Sequence, residues 1–148
     1  MTKDRQHVGI ELDLFAQVTN WNAYIEREIG SYIKGHVLEV GAGIGGITRN
    51  FFTGREISWT CLEPNKDLFQ RLTKSMEQLF FNKNKFPKAI RGNIDNPALK
   101  RKYDTILYID VLEHIENDEF EMIKAARKLK KNGCLVVLAP AHQFLYSP

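Results

Sequence analysis

The 148-residue chain has few cysteines, little net charge and no long apolar run. Cys61 and Cys134 stand in no metal-ligand or redox spacing, so we expect reduced core residues and no metal site. The net charge of +3 does not indicate nucleic acid or an anionic membrane as partner. The polar start of the chain precedes no signal-peptide segment, and no apolar run is long enough to cross a bilayer. We therefore expect a cytoplasmic protein without membrane insertion.

The spacing of apolar residues divides the chain into alternating helices and strands. An amphipathic pattern predicts a helix over residues 11–34, closed by Gly35. Short apolar runs predict five strands, namely Val37–Val40, Ile57–Leu62, Lys88–Arg91, Tyr103–Ile109 and Cys134–Ala139. This alternation predicts an α/β fold with a parallel sheet covered on both faces. We expect the Rossmann-like doubly wound form of such a sheet, with strand order 3-2-1-4-5. No repeat, low-complexity tract or linker interrupts it, so residues 1–148 are predicted to form a single domain.

A further helix is predicted between the fourth and fifth strands. Asn117 is its expected N-cap, and Asn132-Gly133 is its expected stop after Lys131. The residues expected on its inner face recur at helical spacing and are Phe120, Ile123 and Ala126.

A glycine-rich turn follows the first strand and leads into a helix. Glycines allow a ligand to approach the backbone closely, and free N–H groups favour negative charge or acceptors. Gly41, Gly43 and Gly46 fit the dinucleotide pattern G-x-G-x-x-G, whereas Gly41, Gly43 and Gly45 fit the G-x-G-x-G of another class. Glu63 ends the second strand about 20 residues later, where an acid accepts hydrogen bonds from ribose hydroxyls in either class. An NAD-dependent oxidoreductase remains an alternative at this point.

Three further features distinguish the two classes. Glu39, two residues before the first glycine, suits a ligand that carries an ammonium group and repels a pyrophosphate. The fourth strand continues into Tyr108-Ile109-Asp110-Val111-Leu112-Glu113-His114, and Gly92-Asn93-Ile94 forms a polar loop after the third strand. In this order, the segments resemble those of class I S-adenosylmethionine-dependent methyltransferases, and in particular the ubiquinone-type branch that methylates small molecules.

The resemblance implies S-adenosylmethionine as cofactor and in-line transfer of its methyl group to a small molecule, lipid precursor or glycan. Glu39 and the glycine turn would hold the methionine end, Glu63 the ribose and the loop after the third strand the adenine. The implied cofactor-binding residues lie at or after strand ends and are Glu39, Gly41, Ala42, Gly43, Gly45, Glu63, Pro64, Asn65, Asn93, Ile94, Ile109 and Asp110. Asn93 stands where the family usually has an aspartate. No nucleic-acid partner and no metal are implied.

His114 and His142 are the candidate general bases, needed only where the acceptor must lose a proton. Other roles remain open for several of these residues. Asp110 and Glu113 also suit the cap of the following helix, His114 a structural role, and Glu39 the capping of nearby backbone amides.

The sequence departs from the family in one respect. Members usually have seven strands, whereas this pattern reaches only five before the tail at residues 141–148. The fifth strand would then form an open sheet edge. We therefore expect a C-terminally incomplete domain, or an edge covered by a partner or a missing segment. A non-catalytic S-adenosylmethionine-binding fragment or subunit is the corresponding alternative function.

Overall fold

The computed structural model describes residues 19–81 and 85–140. Its strands are β1 (His36–Val40), β2 (Ser58–Glu63), β3 (Lys88–Arg91), β4 (Tyr103–Ile109) and β5 (Leu129–Leu138). Its α-helices are α1 (Thr19–Ile29), α2 (Gly46–Phe51), α3 (Lys66–Phe80) and α4 (Asp118–Lys128). Two 3₁₀ turns accompany them, Gly30–Tyr32 and Leu112–His114.

The strands form one sheet in the order β3-β2-β1-β4-β5, and every neighbouring pair is parallel. β1 lies at its centre because the chain first winds outward through β2 and β3 and then crosses back to β4. The predicted Rossmann-like fold and strand order are confirmed. Val40 pairs with both Leu62 and Tyr108, so the carboxyl ends of the three central strands lie side by side.

Apolar side chains cover both faces of the sheet. On one face, helices α1 and α3 contribute Ile25, Leu72 and Met76 to the core. On the other face, Ala125 of α4 packs with residues of the connection between β3 and β4. The connection over residues 92–102 contains turns but no helix, and it therefore covers less of the sheet than a helix would.

The N-terminal helix is shorter than its apolar pattern predicts. Residues 11–18 of the predicted helix 11–34 lie outside the described residues. α1 ends at Ile29 and continues only as the 3₁₀ turn Gly30–Tyr32, because glycine is a poor residue inside a helix. Ile25 is nevertheless buried, as the amphipathic pattern predicts.

The inner face predicted for α4 is wrong. Phe120 is 50% exposed, and Ile123 and Ala126 are also exposed. The buried positions are Glu121 and Ala125, one residue away in helical phase. The carboxylate of Glu121 faces inward because it accepts a hydrogen bond of 2.9 Å from the hydroxyl of Tyr108.

The predicted boundary between α4 and β5 is also wrong, although Asn117 is the N-cap as predicted. The helix ends at Lys128 rather than Lys131, because Leu129 already pairs with Tyr103 of β4. The next pair is Thr105 with Cys134, so residues 130–133 form a bulge. Among the described strands β5 pairs only with β4, and what covers its other edge remains a prediction.

The two cysteines are free thiols, as predicted. Cys61 lies on β2 and Cys134 on β5, so β1 and β4 separate them. Within residues 19–81 and 85–140, no cluster of His, Cys, Asp or Glu is arranged to hold a metal ion. No helix in this part of the chain has the length and apolar character needed to span a membrane.

Candidate functional site

The candidate site lies at the carboxyl edge of the sheet, where β1, β2 and β4 end beside one another. In open parallel sheets, ligands bind in the crevice outside these strand ends. The first feature of this crevice is the glycine turn after β1. Gly41, Gly43 and Gly45 have positive φ angles, whereas Gly46 is the first residue of α2.

Gly41 allows the turn to pack against the segment that follows β4. A Cβ atom at Gly41 would lie 2.5 Å from Cγ2 of Val111, and the φ angle of Gly41 is +70°. Next to it, the N–H of Ala42 donates a 2.8 Å hydrogen bond to the carbonyl oxygen of Leu62. Contacts within the chain therefore hold the turn against β2 and against the segment that follows β4.

Glu63 connects the end of β2 to the glycine turn. Its Oε2 accepts a 2.8 Å hydrogen bond from the N–H of Gly43, and its Oε1 accepts one of 2.8 Å from the N–H of Asn65. Burial raises the pKa of Glu63, and these two hydrogen bonds oppose that rise. A carboxylate has about four acceptor positions, so each oxygen of Glu63 retains one for a ligand hydroxyl.

Glu39 faces the core beneath the same turn. Its Oε2 accepts hydrogen bonds from the Thr48 hydroxyl, from the Trp59 indole at 2.8 Å and from the Cys61 thiol at 3.6 Å. Among the buried side-chain atoms that the structure describes, Oε1 of Glu39 alone lacks a hydrogen-bond partner. Burial raises the pKa of Glu39 to about 7, and its hydrogen bonds oppose the shift.

Sequence reasoning identified Glu39 but missed the residues that hold it. Thr48 lies on α2, and Trp59 lies on β2 where Val37 pairs with it. A buried acid on a central strand requires hydrogen-bond donors. A search for hydroxyl and indole side chains in the neighbouring predicted elements could therefore have identified Thr48 and Trp59. These donors are side chains, so Glu39 does more than cap backbone amides.

Asp110 follows β4 in an unusual backbone conformation. Its φ angle is +53°, and it is the one non-glycine residue with positive φ in the described ranges. The N–H of Asp110 donates a 2.8 Å hydrogen bond to the carbonyl oxygen of Leu138 on β5. Burial raises its pKa, and the nearby charge of Glu113 adds to that effect. Asn117 is the N-cap of α4, so Asp110 does not cap that helix.

The residues expected around the adenine are engaged in local structure. The Asn65 side-chain oxygen caps α3 by accepting two N–H groups of its first turn, at 2.9 and 3.2 Å. Oδ1 of Asn93 accepts the N–H of Asp95 at 3.2 Å. The Ile94 side chain is fully buried in the core, so only its backbone remains for a ligand. Pro64 is exposed between Glu63 and the cap.

The remaining candidates are the methionyl-side residue Ile109 and the two histidines. Ile109 is half-buried and pairs with Leu138 at the end of the sheet. His114 is exposed in the 3₁₀ turn after Asp110, so it lies on the same edge as the glycine turn. His142 lies outside the described residues.

Comparisons with known proteins agree with this geometry. Residues 38–136 match the family described as Methyltransferase domain. The chain is 29% identical over 132 residues to the demethylmenaquinone methyltransferase of Tropheryma whipplei (strain Twist), across 86% of this chain and 51% of that protein. It therefore spans about half the length of the curated relatives it matches.

Solved structures share the fold. A putative S-adenosyl-L-methionine-dependent methyltransferase from Methanococcus maripaludis superposes with a TM-score of 0.72 at 17% identity, over 87% of this chain and 59% of that one. The glycopeptide N-methyltransferase MtfA, solved with S-adenosyl-L-methionine, gives a TM-score of 0.61 at 20% identity, over 75% of this chain and 51% of that one. The family match covers more than half of the sequence, and the resemblance inferred from the strand-end segments is confirmed: the chain belongs to the methyltransferase domain family of the class I, Rossmann-like type.

Proposed function

We propose that this chain binds S-adenosylmethionine at the carboxyl edge of the sheet and that the protein transfers its methyl group to a small-molecule acceptor. The observation that carries the proposal is the position of Glu63. Its carboxylate joins the end of β2 to the glycine turn through the N–H of Gly43 and retains acceptor positions for two hydroxyls. A ribose presents such a pair of neighbouring hydroxyls.

The donor and acceptor groups of this edge fit the cofactor. The unpartnered Oε1 of Glu39 is a buried acceptor that suits a donor such as the ammonium of the methionine end. The glycine turn lies beside Glu63, and Ala42 holds it to β2. Asn93, Pro64 and Asn65 would lie near the adenine, and Ile109 and Asp110 near the methionyl group.

When bound, S-adenosylmethionine supplies a methyl group that its sulfonium already activates. The protein's contribution is then chiefly to hold the acceptor in line with that methyl group, which can supply on the order of 7–11 kcal/mol. The positive φ of Asp110 fixes the backbone that borders this region. His114 is the base that we assign to acceptors that must lose a proton. His142 keeps the same proposed role.

The acceptor class that we favour is a small, largely apolar ring compound. The named activity of the Tropheryma whipplei relative, a demethylmenaquinone methyltransferase, supports this class. The chain spans 51% of that relative, so residues outside this alignment would also contribute to an acceptor pocket. The NAD-dependent alternative gains no support, because the matched family and the relatives named above are methyltransferases.

Calorimetric titration with S-adenosylmethionine tests the proposal. We expect saturable binding that Glu63→Ala weakens about tenfold or more, the effect expected from losing hydrogen bonds to a charged group. Glu56→Ala is the matched control. Glu56 is also a buried carboxylate that accepts backbone N–H groups, but it precedes β2 at the opposite edge. Equal weakening by both variants, or binding of NAD in place of S-adenosylmethionine, would contradict the proposal.

A further inference from the structure

A cavity lies at the opposite, amino edge of the sheet, where β2 and β3 begin. It has a volume of about 300 Å³, which is at the small end of ligand pockets. The polar, cationic and aromatic residues that line it include Ser58, Thr60, Phe86, Lys88, Lys100 and Arg101. We call this cavity the basic groove. No carboxylate is found among its lining residues in the described part of the chain.

The fold explains why the groove is open. Thr60 pairs with Lys88, and Leu62 pairs with Ile90, so these side chains share one face of the sheet. The connection over residues 92–102 crosses this face without forming a helix. It buries Leu99 in the core but leaves Lys100 and Arg101 exposed at the wall of the groove.

Asp104, next to the lining residue Tyr103 in the sequence, is engaged by other groups. Oδ2 of Asp104 is already bound by Nζ of Lys130 at 2.7 Å and by the N–H of His36 at 2.7 Å. Within residues 19–81 and 85–140, Lys88 and Lys100 have no ion pair. Lys88, Lys100 and Arg101 therefore line the cavity without an ion pair to any acid in the described part of the chain.

His36 lies beside two lining residues of the groove, Ser58 and Arg101. Its Nδ1 lies 2.8 Å from the Ser58 hydroxyl and 3.0 Å from Nη1 of Arg101. Its pKa is lowered, first by burial and then by the charges of Lys130 and Arg101. An anion in the groove would oppose this effect, so His36 offers an internal probe of occupancy.

We propose that the basic groove binds a small organic phosphate. Three cations balance a phosphate dianion better than a singly charged carboxylate, and arginine suits the planar pairs of phosphate oxygens. An apolar body attached to the phosphate would pack against Phe86, which is 49% exposed, and against Ile90. The groove lies at the edge opposite the methyltransferase site, so the inference does not depend on the proposed function.

Nuclear magnetic resonance titration of the ¹⁵N-labelled chain tests this inference with phenyl phosphate, inorganic phosphate and phenol. We expect saturable shift changes confined to the groove and a rise in the pKa of His36. Phenyl phosphate should bind several-fold more tightly than inorganic phosphate, and phenol should not bind measurably. Shift changes scattered over the surface, or none with phenyl phosphate, would overturn the inference.

Charge variants separate the groove from general surface attraction. Lys88→Ala/Lys100→Ala is expected to weaken phenyl phosphate binding at least about tenfold, since it removes two of the three charge-assisted contacts. Lys74→Ala/Lys131→Ala removes the same charge from exposed positions elsewhere and should change binding less than twofold. Equal weakening by the two double variants would overturn the inference. Both should bind S-adenosylmethionine like the wild type, so failure here is distinct from failure at the methyltransferase site.

Discussion

Glu39 and Glu63 lie on neighbouring strands beside the same glycine turn, and both are almost completely buried. Backbone N–H groups hold Glu63, whereas side chains of α2 and β2 hold Glu39 and leave one of its oxygens without a partner. Backbone donors fix the turn to which they belong. Side-chain donors instead keep a carboxylate in the core, where burial controls its protonation.

The different hydrogen-bond donors give the two glutamates different roles, which their positions in the sequence alone do not distinguish. Glu63 ties the turn to β2 and presents acceptors at the strand end. Glu39 faces the core beneath the turn, and its pKa of about 7 allows it to gain or lose a proton near neutral pH. We expect mutations of the turn and of the two carboxylates to have different signatures in stability and in pH dependence.

The largest effect is expected from Gly41→Ala, which disrupts the turn that both carboxylates adjoin. A Cβ atom would meet the stiff side chain of Val111 at 2.5 Å and would also require alanine at a φ angle of +70°. We expect the free energy of unfolding to fall by about 3 kcal/mol in urea denaturation.

Gly54→Ala is the control for Gly41→Ala. Gly54 also has a positive φ angle, +81°, but no atom lies within 4 Å of a Cβ built there. The free energy of unfolding of Gly54→Ala should fall by only about 1 kcal/mol, which is the cost of the backbone conformation alone. Equal losses for the two variants would mean that Val111 moves aside without cost.

The next effect concerns Glu39→Gln and the pH dependence of stability. In the folded state Glu39 has a pKa of about 7, whereas its ordinary value, which we take for the unfolded state, is 4.5. Between these two pH values the folded state therefore binds more protons than the unfolded state. The stability that Glu39 contributes is therefore fully present below pH 4.5, and it is lost as the pH rises through the folded-state pKa of about 7. Glutamine cannot titrate. Between pH 5 and 8, the free energy of unfolding should fall by about 2 kcal/mol more in the wild type than in Glu39→Gln.

Unfolding curves across this pH range measure the difference directly. Glu77→Gln, an exposed position on α3, is the control and should follow wild type. Parallel pH profiles for wild type and Glu39→Gln would show that Glu39 is ionised throughout and that the contrast with Glu63 is only one of position.

The local pattern of apolar residues predicts those strands that are continuous apolar runs in the sequence. β3 and β4 have the predicted bounds, β1 begins one residue earlier than predicted, and β2 is shifted by one residue at both ends. The alternation of elements predicts a parallel sheet, because parallel strands need crossover connections. The strand order expected for a doubly wound sheet is the one observed. Glu63 could be placed from sequence because it directly follows an apolar run.

Contacts between distant residues account for what the pattern missed. Leu129 leaves the helix because it pairs with Tyr103, far earlier in the chain. The inner face of α4 differs from the predicted one because Glu121 accepts a hydrogen bond from the Tyr108 hydroxyl on β4. Likewise, the donors of Glu39 come from two other elements. No local periodicity encodes such pairs, so sequence reasoning located the site but not the groups that set its protonation.

The smallest effect is expected from Glu63→Gln in the absence of cofactor. Glutamine keeps the size of the side chain, but its amide nitrogen cannot accept from an N–H group, so either Gly43 or Asn65 loses its acceptor. The free energy of unfolding should fall by about 1 kcal/mol at pH 7. Amide hydrogen exchange should quicken at whichever of the two amides loses its acceptor and remain unchanged along β4. Glu39→Gln should leave exchange at those two amides unaltered, because its carboxylate contacts neither. Faster exchange at Gly43 in both variants would show that the two carboxylates hold the turn jointly rather than separately.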